Sequence, residues 1–301
     1  MSFIYDSHIH LMPDGRQDTP QEFQAKAAQA GIGGGLIFSQ PPPDAQEWET
    51  AAPCWQDRIA HVQDFCSRLE HFYPVYWINP TEPDAIEQIV YAKNAGIRAF
   101  KVLCSFCHPA EGLEAYRKMA ELRLPVIFHS GILWDGVNSS PFNRPANFEC
   151  MLDVPYSRFA LAHVSWPWTD ECIAVFGKIL CAHTHKKSAP EMYIDTAPGA
   201  PAIYRDDIFR NMILTGYEGL EDKLMFAVDG FANDYQVDWA KFTVEFDRAM
   251  FRRLQEKYGK WQGFRGNSCM AGDNSTAAEY PFVKTWENAT QRNMLNFIAP
   301  W

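Results

Sequence analysis

The chain has 301 residues, 47% of them hydrophobic and 14% aromatic, enough to bury a large core as one big domain or two smaller ones. A formal charge of -10, with no basic cluster larger than Lys186-Lys187 or Arg252-Arg253, argues against a nucleic-acid-binding surface, which would need a basic footprint. No apolar run is long enough to span a bilayer, no basic and apolar leader opens MSFIYDSHIH, and the eight cysteines are scattered as reduced thiols would be. The expectation is a cytoplasmic protein with no nucleic-acid or membrane partner.

The first apolar run, FIYD at 3–6, leads straight into DSHIH at 6–10. Alternate side chains of an extended strand share a face, so His8 and His10 project together and Ile9 points away, which is chelating geometry for neutral imidazoles. An ordinary polar strand end would read the same way in isolation. Further β-like runs follow as GGLIFS (34–39), YPVYWIN (73–79), IRAFKVL (97–103), PVIFHS (125–130), RFALAHV (158–164), MYIDTA (192–197) and KLMFAVDG (223–230). Between them PQEFQAKAAQAG, TEPDAIEQIVYAKNAG, EGLEAYRKMAELR and WTDECIAVFGKIL have helical spacing and helix-starting residues. Strands alternating with helices imply a parallel sheet, and eight near-continuous hydrophobic strands predict an α/β fold of the (β/α)8 TIM-barrel class. A doubly wound sheet would want a glycine-rich phosphate turn after the first strand, and DSHIHLMPDG is not one. Beyond residue 230 a long helix, VDWAKFTVEFDRAMFRRLQEKYG, a Gly- and Asn-rich loop over 263–280 and a closing helix, TWENATQRNMLNFI, read as C-terminal elaboration of one domain over 1–301.

Active sites of such barrels form at the carboxyl ends of the strands. There the sequence places His8 and His10 (strand one), Lys101 (four), His129 (five), His163 (six) and Asp229 (eight). Each has a bland reading: Lys101 could pair with a carboxylate, and Asp229 could cap the following helix. Core packing, however, does not require all six to face one mouth.

DSHIH, VIFHSG, FALAHVSWP and MFAVDGFAND together resemble the amidohydrolase superfamily, most closely its amidohydrolase-2-type TIM-barrel metal-dependent hydrolases, over nearly the whole chain. The resemblance implies that His8, His10 and His129 are metal ligands and that Asp229 binds the metal or its water. It implies that His163 completes a second metal position or polarises substrate, and it leaves Lys101 open as a further, carboxylated ligand. One divalent ion is expected over two, zinc first, with manganese or iron fitting the same donors. The ion would lower the pKa of water, with Asp229 and His163 as the catalytic residues: Asp229 takes the proton and His163 stabilises the carbonyl oxygen. The implied activity is hydrolysis of an amide, lactone or ester in a small cyclic or carboxylated molecule. Nonoxidative decarboxylation on the same scaffold and a non-catalytic barrel are the alternatives, and a homo-oligomer is left open.

Two motifs compete for attention. CSFCH at 104–108 matches covalent haem attachment, but it follows strand four in a chain expected to be cytoplasmic, where Cys107 or His108 could instead touch substrate. AHTHKK at 182–187 repeats the His-x-His pattern and is predicted as a solvated loop on the face opposite the site. Specificity should reside in the loops after strands five and six, where Trp134, Arg144 and Trp166 are substrate-binding candidates; Arg144 could equally hold Glu149.

Overall fold

A computed structural model describes residues 3–12, 18–43, 54–261, 263–265 and 276–301. In chain order the first half runs β1 (Ile4–His10), α1 (Pro20–Gln29), β2 (Ile32–Phe38), α2 (Trp55–Ser67), β3 (Phe72–Trp77), α3 (Ala85–Asn94), β4 (Ala99–Val102), α4 (Leu113–Glu121) and β5 (Val126–Phe128). The second half runs β6 (Arg158–Leu161), α5 (Thr169–His185), β7 (Glu191–Asp195), α6 (Ala202–Leu214), β8 (Leu224–Met225), β9 (Gly230–Phe231) and α7 (Val237–Tyr258). It ends with β10 (Gly263–Arg265), β11 (Thr276–Ala278), α8 (Phe282–Gln291) and α9 (Asn293–Ile298).

The strand order β8-β7-β6-β5-β4-β3-β2-β1-β9 is parallel throughout. β8 pairs with β7 and β9 pairs with β1, so these two short pieces of one segment close the ring as the eighth strand of a TIM barrel. The sequence reading of this strand as one continuous run over 223–230 is corrected: Asp229 has a left-handed φ of 58°, which breaks the extended backbone between the pieces. β1, by contrast, is one extended run that carries both histidines at its carboxyl end, as expected.

Local chemistry accounts for the elements. Thr19 and Glu22 form a reciprocal capping box ahead of Pro20 at the start of α1. The strands are buried almost throughout and rich in Ile, Val, Leu, Phe and Ala, as a helix-covered parallel sheet demands. Inside the ring, Leu36, Val75, Ala99, Ile127, Ala160 and Met225 pack together with Met294 and Phe297 of α9. Arg98 and Arg158, at the amino ends of β4 and β6, donate to main-chain carbonyls of residues 296–299, so α9 plugs the barrel floor. The predicted single closing helix is therefore two helices, parted at Arg292, where φ of -138° is not helical. The connection from β5 to β6 carries a 3-10 helix (Pro145–Asp153) where a regular barrel has an α-helix. The middle of the predicted 263–280 loop lies outside the described residues. Cysteines 54, 66, 104, 107, 150 and 172 are free thiols, whereas Cys181 is disulfide-bonded, a departure from the all-reduced expectation. Among the described residues no helix is long and apolar enough to cross a membrane.

Candidate metal centre

The carboxyl ends of the strands surround a cleft of about 290 Å³ into which His8, His10, Lys101, His129, His163 and Asp229 all open. Strand periodicity puts His8 and His10 on one face, and their Nε2 atoms lie 3.1 Å apart. Asp229 Oδ1 is 3.6 Å from His8 Nε2 and 3.4 Å from His10 Nε2. These three residues offer ligand atoms that all fall within 4.8 Å of one another, close enough for one ion to touch all three. The left-handed turn at Asp229 is what directs the eighth-strand carboxylate to this point.

Two carboxylates that the sequence reading did not single out support His8. Asp6 Oδ1 accepts the main-chain N–H groups of His8 (3.0 Å) and Val228 (3.1 Å), tying β1 to the eighth strand. Asp195, the last residue of β7, lies 2.6 Å through Oδ2 from His8 Nδ1, and both side chains are fully buried. The available signal was the acidic residue ending the MYIDTA run, a position that a barrel points at its mouth.

His163 begins a turn in which three successive residues, His163, Val164 and Ser165, have left-handed φ values of 58°, 45° and 55°. For a β-branched residue such as Val164 this is a costly conformation, and it survives because neighbours enforce it. The Ser165 and Trp166 N–H groups donate to the Ala162 and His163 carbonyls, and the Ile132 N–H donates to Trp166. Gly199 backs the His163 ring: a Cβ there would stand 2.7 Å from His163 Cβ. The result sets the His163 ring between those of His8 and His129, tilted by 50° and 54° to them at centroid separations of 4.9 Å and 4.8 Å, with Nδ1 3.9 Å from Asp229 Oδ2.

Burial sets the protonation states. Desolvation, reinforced by Lys101, holds His8 well below the ordinary histidine range. Desolvation and the facing His163 do the same to His129, and desolvation lowers His163 to about 4. Neutral imidazole is the ligand form. Burial alone would raise Asp229, but its interaction with the His8 ring and the hydrogen bond from His10 outweigh it and keep the carboxyl well below its usual range. Burial pushes Asp6 and Asp195 upward and brings Lys101 down to about 8. Four buried polar atoms of the cleft residues have no hydrogen-bond partner: His10 Nδ1, Lys101 Nζ, His129 Nε2 and His163 Nδ1. Orphaned buried donors and acceptors are costly, and several around one cleft mark a place where something polar binds. A neutral, His-rich donor set with one ionised carboxylate fits a divalent first-row metal.

The remaining candidates separate. Trp134 lines the cleft and stacks on Trp166, ring centroids 6.3 Å apart, while Trp166 stands behind it rather than in the lining. Arg144 does not line the cleft; it donates to Glu171 at 2.5 Å and lies over the Trp168 ring, and Glu149 is taken by Lys178 rather than by Arg144. Cys107 lines a smaller neighbouring hollow that shares Trp77 and Leu103 with the cleft, and the His108 ring packs edge-on to Phe142. His183 and His185 fall in the last turn of α5, not in a loop, and neither lines the cleft.

A parallel eight-stranded ring carrying His-x-His on its first strand and an aspartate on its last is a TIM barrel with a His-His-Asp group that could hold a metal ion. The sequence profile of the amidohydrolase family matches residues 5–285, and the chain belongs to that family: it is an enzyme of the amidohydrolase superfamily, whose members use divalent metals. Solved structures with the same fold include an uncharacterised TIM-barrel protein from Bordetella bronchiseptica, at 16% identity over 80% of this chain and 90% of that one, TM-score 0.58. A proposed 2-pyrone-4,6-dicarboxylic acid hydrolase from Pseudomonas putida shows 12% identity over 85% and 94%, TM-score 0.54. An amidohydrolase from Burkholderia multivorans shows 10% over 85% and 92%, TM-score 0.54. No functionally curated protein matches the chain.

Proposed function

We propose that this protein is a hydrolase that uses one divalent ion, zinc before manganese or iron, to cleave an amide, lactone or ester bond in a small cyclic or carboxylated molecule. The observation that carries the reading is the convergence of His8, His10 and Asp229 at the mouth of a cleft whose other buried polar atoms lack partners. A divalent ion supplies Lewis acidity there, acidifying water and polarising a carbonyl oxygen. His8 and His10 would hold it through Nε2, and His129, which lines the cleft and has a buried Nε2 without a hydrogen-bond partner, is the third candidate imidazole. Asp229, ionised and partly open to the cleft, takes the proton of the attacking water and returns it to the leaving group. His163 faces the developing charge on the carbonyl oxygen. Met12, Trp77, Leu103, Ile132, Leu133 and Phe231 form apolar walls around this centre, which suits one ring-sized substrate and limits bulk water.

The test is to load the protein with zinc and screen small lactones, cyclic amides and aryl carboxylates in 18O-labelled water. Incorporation of the label into product supports hydrolysis. Release of carbon dioxide without label in the product replaces it with nonoxidative decarboxylation.

A further inference from the structure

We propose that Asp195 is a positioning residue that fixes the tautomer of His8, holding the proton on Nδ1 so that the Nε2 lone pair is presented to the metal. The inference rests on the metal-centre reading above and assigns a role to a side chain outside the ligand set.

The two histidines of DSHIH are held differently. His8 is constrained twice: its main chain by Asp6, and its ring by the 2.6 Å contact from Nδ1 to Asp195 Oδ2. His10 has a buried Nδ1 with no partner, so nothing of this kind selects its tautomer. An ionised carboxylate only accepts hydrogen bonds, so the proton between Asp195 and His8 belongs to Nδ1 and the opposite nitrogen keeps its electron pair. That pair meets His10 Nε2 at 3.1 Å and Asp229 Oδ1 at 3.6 Å, which is where a ligand atom is needed. A carboxylate behind a metal-bound imidazole also raises the basicity of the ligand.

Asp195 is itself fixed. Its Oδ1 accepts the Ala197 N–H at 2.6 Å, so its two oxygens have separate duties, one to the main chain and one to His8. The turn that follows is anchored by Arg205, which donates to the Thr196 carbonyl at 3.1 Å and forms a buried ion pair with Asp247 at 2.5 Å. A carboxamide cannot serve both duties. If the oxygen of an asparagine stays with Ala197, its NH2 group faces His8 and favours a bare Nδ1 and a protonated Nε2. If it turns round, two donors confront each other at Ala197. Asp195→Asn is therefore a nearly isosteric substitution that reverses the hydrogen-bond polarity, which simple loss of packing would not do.

The experiment uses full-length protein freed of metal by chelation, comparing wild type with Asp195→Asn. Zinc affinity is measured by competition with a chromophoric chelator, and long-range 1H–15N correlation of 15N-histidine-labelled metal-free protein reports the tautomer of His8, assigned through His8→Gln. The expected result is Nδ1-protonated His8 in wild type, a shift toward Nε2 protonation in Asp195→Asn, and zinc binding weaker by about 10- to 100-fold. Zinc affinity within twofold of wild type in the folded variant, or an Nε2-protonated His8 in the wild type, overturns the proposal. The wild-type spectrum decides even where the variant does not fold. Failure of wild type to bind zinc, manganese or iron overturns the metal-centre reading instead, and the tautomer measurement still stands separately.

Discussion

The chain contains the pattern His-x-His twice, at 8–10 and at 183–185, and the two copies have opposite fates. On β1 the residues are extended, alternate side chains share a face, and the two Nε2 atoms come within 3.1 Å. On the last turn of α5 the same spacing rotates the second side chain by about 200° relative to the first, because a helix turns about 100° per residue. His183 Nε2 accordingly sits 3.0 Å from the Pro190 carbonyl, while His185 borders an apolar hollow on the outer wall. A chelating motif is thus a statement about backbone period as much as about residue type.

The largest expected effect breaks this comparison directly. His8→Ala/His10→Ala should abolish metal binding, from about one ion per chain to none by elemental analysis, whereas His183→Ala/His185→Ala should leave the stoichiometry of the centre unchanged. Equal losses in both variants would show that the ion is not held at β1. Next in size, Asp229→Asn keeps the shape of the third ligand but removes the proton acceptor. Turnover of a hydrolysed substrate should fall by about 10²- to 10⁴-fold while far-UV circular dichroism stays constant. A fall smaller than tenfold would remove Asp229 from its role as base.

The two copies also show how much could be read in advance. The barrel was legible because its strands are near-continuous apolar runs, and a strand fixes which neighbours face inward. Hence the sequence alone places His8, His10, Lys101, His129, His163 and Asp229 at one mouth, and they share one cleft. The role of Asp195 is not legible in the sequence, because it lies in a contact with a residue 187 positions away, which no local pattern encodes. Arg144 shows the reverse limit of position in the chain. Its loop follows β5, but the segment turns into a 3-10 helix starting at Pro145 and leaves the guanidinium beside Glu171 on the rim. The left-handed turns at His163–Ser165 and at Asp229 were equally invisible, since Val164 and Asp229 carry no glycine to announce them.

Acid should sharpen the contrast between the buried and the exposed histidines. His163 titrates at about 4 in the folded chain against an ordinary value of 6.5, because burial disfavours its charged form. Between those values the unfolded chain binds more protons, so stability is fully present above about pH 6.5 and is lost as pH falls toward 4. His163 alone is expected to account for about 3 kcal/mol over that window in the metal-free protein, and the lowered His8 and His129 act in the same direction. Urea midpoints at pH 7, 5.5 and 4 measure the loss, and His163→Gln should flatten the slope. An unchanged slope would mean that the buried ring is not what couples folding to protons.

The smallest effect concerns the rim. Trp134 is 74% exposed yet lines the cleft and stacks on Trp166, so little of its surface supports the barrel. Trp134→Ala should therefore change the unfolding free energy by no more than about 0.5 kcal/mol and leave metal content untouched. If the indole forms one wall of the substrate pocket, KM should rise several-fold with kcat nearly constant, the signature of binding that is uniform between ground and transition states. A matching fall in kcat would place Trp134 against the reacting group instead. No change in either would assign the stacked pair to packing of the rim, the same role that helical period assigns to the second His-x-His.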